Sequence, residues 1–273
     1  MSAIKSSMQS LSNAFRHGVG LKNIYTAFLC SALMRMGDYR RGLRAACIRA
    51  ISRFAVGGQI PLRIKIQKKV VTFHMRKGNI ADYLIAGEMV QGEYQLPTTL
   101  PSRPTAIVDG GANIGMFSLI SHSYFPELPV ICYEPDKENL VQLNKNLQFN
   151  GIKAKVIGKA LWSEEETLYY HPSLSYAGKV SREPSPYPME CCKPEVPAGC
   201  WLKLDIEGAE YEVLPVVLAN DSRPLLISLE IHYFSERGQS IIDLLQAYNY
   251  KIYGNYSPDD ACVNITAVAS GIA

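Results

Sequence analysis

Acidic side chains are almost missing from the first 77 residues of this 273-residue chain. Asp38 is the one acid there, against 15 Lys and Arg, a net of +14. Residues 78–273 reverse the balance, with 13 Lys and Arg against 24 acids, a net of −11. The overall +3 conceals this split, which excludes a homogeneous basic protein and requires two separate explanations. A long apolar run is also missing. Ile24 to Met34 gives 11 mostly apolar residues, where a membrane-spanning helix needs roughly 20. Arg35, Arg40, Arg41, Arg44, Arg49 and Arg53 follow closely, and no small-residue cleavage site ends the run, which argues against a secretion signal. No cysteine pair has C-x-x-C spacing, and seven is an odd number. A disulfide framework and a zinc knuckle are therefore not expected, and a cytoplasmic chain is.

What is present reads as three segments. Residues 1–58 form a basic helical extension in which Leu43, Cys47, Ala50, Ile51 and Phe54 recur at helical spacing, with Arg41, Arg49 and Arg53 opposite. Residues 59–104 contain a hairpin from Ile60 to Phe73, with alternating Leu62, Ile64 and Ile66, and a lead-in segment. Residues 105–273 alternate short apolar strands with helices, the pattern of an α/β domain on a largely parallel sheet. Residues 171–199 interrupt that rhythm with six prolines and read as a long irregular loop.

Chemistry concentrates at four strand ends. Val108-Asp-Gly-Gly-Ala-Asn-Ile-Gly115 lies directly between a strand and a helix. Its glycines permit a tight turn, and on this reading they let a ligand approach where a Cβ would collide. Ala112 and Asn113 depart from the dinucleotide fingerprint, which weakens a pyrophosphate reading. Tyr133-Glu134-Pro135 ends the next strand, where a carboxylate can accept both hydrogen bonds of a ribose diol. Lys203-Leu-Asp-Ile-Glu-Gly-Ala-Glu210 crowds Asp205, Glu207 and Glu210 at a strand-to-helix turn, an arrangement that raises carboxylate pKa values and asks for a cation or proton. Glu230-Ile-His232 ends the following strand, with both polar side chains on one side of it.

These blocks resemble the FkbM family of S-adenosylmethionine-dependent O-methyltransferases. The likeness covers about residues 76–235, from Arg76 through Gln91-Gly-Glu-Tyr94 to the strand bearing His232. It implies a class I methyltransferase fold, Rossmann-like, with a seven-stranded, mostly parallel sheet and an antiparallel final strand. It implies S-adenosylmethionine as cofactor, with Asp109, Gly110, Gly111, Ala112, Asn113 and Gly115 toward its methionine part. Glu134 and Pro135 would face the ribose side, and Tyr94 joins the cofactor residues. His232, or Glu207 in its place, is expected to take the proton of a hydroxyl acceptor, with Asp205 orienting substrate. A divalent metal is compatible with Asp205 but not indicated. The resemblance favours a glycan or a small glycosylated metabolite as acceptor. Asp205-Ile-Glu-Gly stands where exocyclic-amine methylases of related fold carry Asn/Asp-Pro-Pro-aromatic, so nucleic acid is not the expected partner. An RNA methylase and a non-catalytic scaffold are the rival readings. The basic extension suits an anionic membrane surface, an anionic acceptor, or an acidic face in a homo-oligomer.

Overall fold

The structure is a computed structural model, and it describes residues 9, 12–36, 41–92, 94, 96–97, 100–171 and 179–270. In chain order the elements begin with α1 (Leu21–Met34), α2 (Arg41–Ser52), β1 (Gln59–Ile66), β2 (Lys69–Arg76) and α3 (Ile80–Gln91). Next come β3 (Ile107–Gly110), α4 (Met116–Tyr124), β4 (Val130–Tyr133), α5 (Lys137–Phe149) and β5 (Ala154–Ile157). Four strands follow without a helix: β6 (Ala160–Leu161), β7 (Thr167–His171), β8 (Lys179–Ser181) and β9 (Pro188–Cys192). The chain closes with β10 (Trp201–Leu204), α6 (Glu210–Ala219), β11 (Leu226–His232), α7 (Gln239–Ala247), β12 (Tyr250–Tyr253) and β13 (Cys262–Ala269). Two compact units result: residues 1–95 with 114–126 and 141–152, and residues 96–113 with 127–140 and 153–273.

In the first unit the expected hairpin is present. β1 and β2 pair antiparallel from Gln59 opposite Arg76 to Ile66 opposite Lys69. Alternation buries Ile60, Leu62 and Ile64 with Val71, Phe73 and Met75. A strand edge with free backbone groups invites unwanted pairing, and two asparagine amides, Asn146 of α5 and Asn150 just past its end, cover it. The Thr72 amide donates to Asn150 Oδ1 at 2.9 Å, and Asn150 Nδ2 returns a bond to the Thr72 carbonyl at 2.8 Å. One helical turn earlier, Asn146 makes the same exchange with His74, at 2.8 and 3.2 Å. Residues four apart on a helix share a face, so the two amides continue the ladder by two steps. Asn79 caps α3, and buried Asp82 takes three bonds from Arg76, the shortest being 2.6 Å from Nη2.

The second unit is built on a seven-stranded sheet in the order β12-β13-β11-β10-β3-β4-β5. β5, β4, β3, β10 and β11 run parallel, while β13 is antiparallel to both its neighbours. This is the Rossmann-like α/β sheet that the resemblance implies. β10 and β3 are buried at every position, as central parallel strands covered on both faces must be. Trp201 is fully buried in β10, and its indole N–H donates to Ser228 Oγ at 3.0 Å, so its burial leaves no orphan donor. The proline-rich segment departs from expectation. β8 and β9 fall within residues 171–199 and join β6 and β7 in a second sheet, β6-β9-β7-β8. Pro184, Pro186, Pro194 and Pro197 stand in the connections and Pro188 at a strand start, where a missing N–H costs no ladder bond. Residues 172–178 lie outside the described residues.

Candidate functional site

The parallel strands β3, β4, β10 and β11 end at one side of the sheet, and each expected site residue of the second unit sits at or just beyond one of those ends. Three non-glycine residues there adopt left-handed backbone: Asn113 after β3, Glu207 after β10 and Tyr233 after β11, with φ of 48°, 55° and 53°. Asparagine tolerates this conformation, whereas for Glu and Tyr it costs on the order of 1–2 kcal/mol each. Strain of this kind persists only where packing imposes it.

At Gly111 the chain itself supplies a reason for glycine. A Cβ on Gly111, at φ +72°, would lie 1.9 Å from the Asp205 carbonyl oxygen. The loop after β3 and the loop after β10 therefore touch backbone to backbone, and it is this contact that demands glycine. Gly110 is closed in by Leu161 and Leu204. The amides of Gly111 and Ala112 both donate to the Tyr133 carbonyl, at 3.0 and 2.8 Å. Gly115 and Tyr94 belong to the first unit, where Gly115 starts α4 and the Tyr94 ring stands edge-on to Phe117 at 5.3 Å.

Glu134 is 5% exposed. Its Oε2 accepts from the Asn113 amide at 2.7 Å and its Oε1 from the Asp136 amide at 2.9 Å. Burial pushes its pKa up to about 7 against the pull of these bonds, and among the described residues no Lys or Arg pairs with it. Each carboxylate oxygen has capacity beyond one hydrogen bond, so a diol can still donate to it. Pro135, half-buried, follows directly and turns the chain toward α5.

Within β10, opposite Asp109 of β3, lies a residue that the sequence reading left without a role. Lys203, only 4% exposed, donates to the Gly111 carbonyl at 2.6 Å. Its ammonium stands 3.4 Å from Asp205 Oδ2 and 3.7 Å from Asp109 Oδ1. Burial opposes the charge, but Asp205, Asp109 and Glu230 outweigh it and raise the lysine pKa. The signal was available: a lysine inside a buried four-residue strand is rare unless it is paired.

Glu210, the third acid of the block, is fully buried. Its Oε1 accepts from the Ile206 amide at 3.1 Å and from His232 Nδ1 at 3.0 Å. His232 Nε2 lies 3.5 Å from Glu207 Oε2. Burial alone would lower the histidine pKa, but the bond to Glu210 and the charges of Glu210, Glu207 and Glu230 carry it to about 9. A pKa raised in this way favours the imidazolium near neutrality, which argues against His232 as the base in this arrangement. Glu207 is the other residue expected for the role; burial raises its pKa to about 7 despite His232, and its Oε2 is a buried atom without a hydrogen bond. Glu230 shares the His232 side of β11, as alternation requires, and accepts from Cys262 Sγ at 3.1 Å. Asp205, Glu207 and His232 place one ligating atom each within 4.8 Å of the others, as do Glu230, His232 and Cys262. Either set has the donor types for a divalent cation.

Comparison with known proteins agrees with the motifs at the ends of β10 and β11. Residues 193–252 match the Methyltransferase FkbM domain. Methyltransferase sdnD of Sordaria araneosa is 38% identical over 79 residues, covering 28% of this chain and 30% of that protein. The chain thus spans under a third of that relative's length. Among solved structures, Methyltransferase FkbM from Methylobacillus flagellatus KT aligns at 14% identity and TM-score 0.42, covering 98% of this chain and 60% of that one. Precorrin-6y C5,15-methyltransferase from Geobacter metallireducens aligns at 12% identity and TM-score 0.38, covering 69% and 89%. The FkbM methyltransferase domain match thus falls on the strand, loop and helix that carry Asp205, Glu207 and Glu210 and on the strand that ends at His232.

Proposed function

We propose that the chain transfers a methyl group from S-adenosylmethionine to a hydroxyl, on a saccharide or a glycosylated metabolite. One observation carries the reading: the adjacent strand ends β3, β4, β10 and β11 bring a buried carboxylate suited to a ribose diol to the same edge as an acid–imidazole group suited to a hydroxyl. Six acids, Asp109, Glu134, Asp205, Glu207, Glu210 and Glu230, gather at these strand ends with Lys203 and His232 among them, a surplus that favours a cationic cofactor. Glu134 would hold the ribose, and the backbone of residues 111–113 the methionine part.

When bound, S-adenosylmethionine supplies a methyl group on a sulfonium, an electrophile that needs no further activation. The protein's contribution is therefore position and proton removal. Holding the acceptor oxygen in line is worth up to roughly 7–11 kcal/mol. Glu207 takes the proton: the acceptor O–H bond breaks, the proton passes to the carboxylate, and the oxygen keeps the electron pair. A base with a pKa of about 7 is matched to this task near neutrality and adds roughly 10²–10⁴-fold. His232, held by Glu210, keeps the Glu207 carboxylate in place, and Asp205 offers an acceptor for a second hydroxyl.

All seven cysteine thiols are free, which supports a reducing compartment, the cytoplasm. The test pairs calorimetry with S-adenosylhomocysteine and transfer of a labelled methyl to fractionated cell glycans and metabolites. Wild type should bind and transfer; Glu134→Ala should lose cofactor binding; Glu207→Gln should bind cofactor with turnover down by roughly 10²–10⁴. Absence of S-adenosylhomocysteine binding would sink the cofactor assignment, and full turnover in Glu207→Gln the assignment of the base.

A further inference from the structure

We propose that the first unit docks peripherally on an anionic lipid bilayer, through a surface centred on Phe54. The Tyr25 ring stands edge-on to Phe54 with centroids 6.0 Å apart, and the Lys22 ammonium lies 5.3 Å from the centre of the Phe54 ring. These contacts join the first turn of α1 to the residues just after α2. The Val19 amide donates to the Arg63 carbonyl at 3.1 Å, and the Arg63 amide to Asn23 Oδ1 at 2.8 Å, which brings β1 alongside the same turn.

Around this hub the surface is apolar and cationic together. Leu21 is 84% exposed, Val56 73% and Tyr25 47%. Lys22, Arg53 and Arg63 are exposed beside them. Residues 12–36 and 41–77 hold 13 Lys and Arg and no acid, so no carboxylate of these segments neutralises the patch.

The combination selects the partner. A phosphate backbone is bound by cations and hydrogen-bond donors, with no call for bare aliphatic side chains. A bilayer interface uses both: leucine, valine and tyrosine enter the headgroup–acyl boundary while lysine and arginine meet anionic headgroups. Among the described residues no helix is long and apolar enough to cross a membrane, so the contact is interfacial. The inference does not depend on methyl transfer, and its test uses no activity.

The full chain is floated with vesicles of phosphatidylcholine alone or with about a third phosphatidylglycerol. Binding is expected to the anionic vesicles, weakening with salt as exposed charges are screened, and to be absent from the neutral ones. Leu21→Ser with Val56→Ser, and separately Lys22→Gln with Arg63→Gln, should each weaken it at least tenfold with an unchanged circular-dichroism spectrum. Leu21→Trp gives an independent readout, a blue-shifted emission on adding anionic vesicles. Equal binding to neutral vesicles, wild-type binding by the Leu21/Val56 variant, or no emission shift would overturn the proposal. So would failure to float combined with salt-sensitive binding of single-stranded RNA, which would make the surface a nucleic-acid site.

Discussion

Replacing Lys203 by methionine keeps the apolar length of the side chain and removes its charge and donors. The ammonium it loses is bonded to the Gly111 carbonyl at 2.6 Å and stands between Asp205 and Asp109, the latter fully buried. Removing one partner of a buried ion pair typically costs about 3–5 kcal/mol, because the remaining charge stays desolvated. Set against a total stability on the order of 5–15 kcal/mol, a loss of about 4 kcal/mol should be plain in urea unfolding followed by circular dichroism. The defect should depend on pH. An orphaned buried carboxylate is relieved by protonation, so the folded variant binds a proton that the native protein does not. Its stability relative to native therefore falls as pH rises, and the gap should be wider at pH 8 than at pH 5. Adding Asp109→Asn should recover part of the loss, since the stranded charge is then absent. A loss below about 1 kcal/mol, or one that is flat from pH 5 to 8, would refute the account of Lys203 as the buried counter-charge of this site.

Gly111→Ala should destabilise by several kcal/mol, because its Cβ would sit 1.9 Å from the Asp205 carbonyl. Gly20→Ala, also at positive φ but with nothing within 4 Å, should lose only about 1 kcal/mol; equal losses in the two melts would contradict the close approach. The native domain should lose stability as pH rises, because three groups have folded pKa values raised above their unfolded ones. Glu134 and Glu207 (about 7) act between pH 4.5 and 7, and His232 (about 9) between pH 6.5 and 9. Thermal melts of His232→Gln should flatten the upper window, and a native melting point that climbs from pH 7 to 9 would contradict it. Asn146→Ala with Asn150→Ala strips two amides from the β2 edge and should cost about 2–4 kcal/mol, with hydrogen exchange quickened at Thr72 and His74.

Much of the second unit was legible because its signals are local. β10 and β11 are apolar runs ended by acids and helix starts; in the first unit, the period-two alternation of β1 and β2 marked the hairpin in the same way. The acids of the site were legible for the same reason, since each stands at the carboxyl end of a strand. The proline-rich segment was misread because proline is a strong local signal against strands, yet Pro188 begins a strand without breaking its ladder. The bonds of Asn150 to Thr72 span 78 residues and carry no local signature.

Taken alone, the sequence determined the strand–helix alternation, the position of the glycine loop, and the separation of a cationic first part from an acidic remainder. These follow from periodicity, backbone freedom and charge, which act over a few residues. Only the tertiary structure decided what those residues do to one another. It set Gly111 against the Asp205 carbonyl, gave Lys203 the carboxylate of Asp109 across the sheet beside that of Asp205, and placed His232 between Glu210 and Glu207. Burial and proximity across 20 to 90 residues of chain determine a pKa, and neither is written in the order of the amino acids.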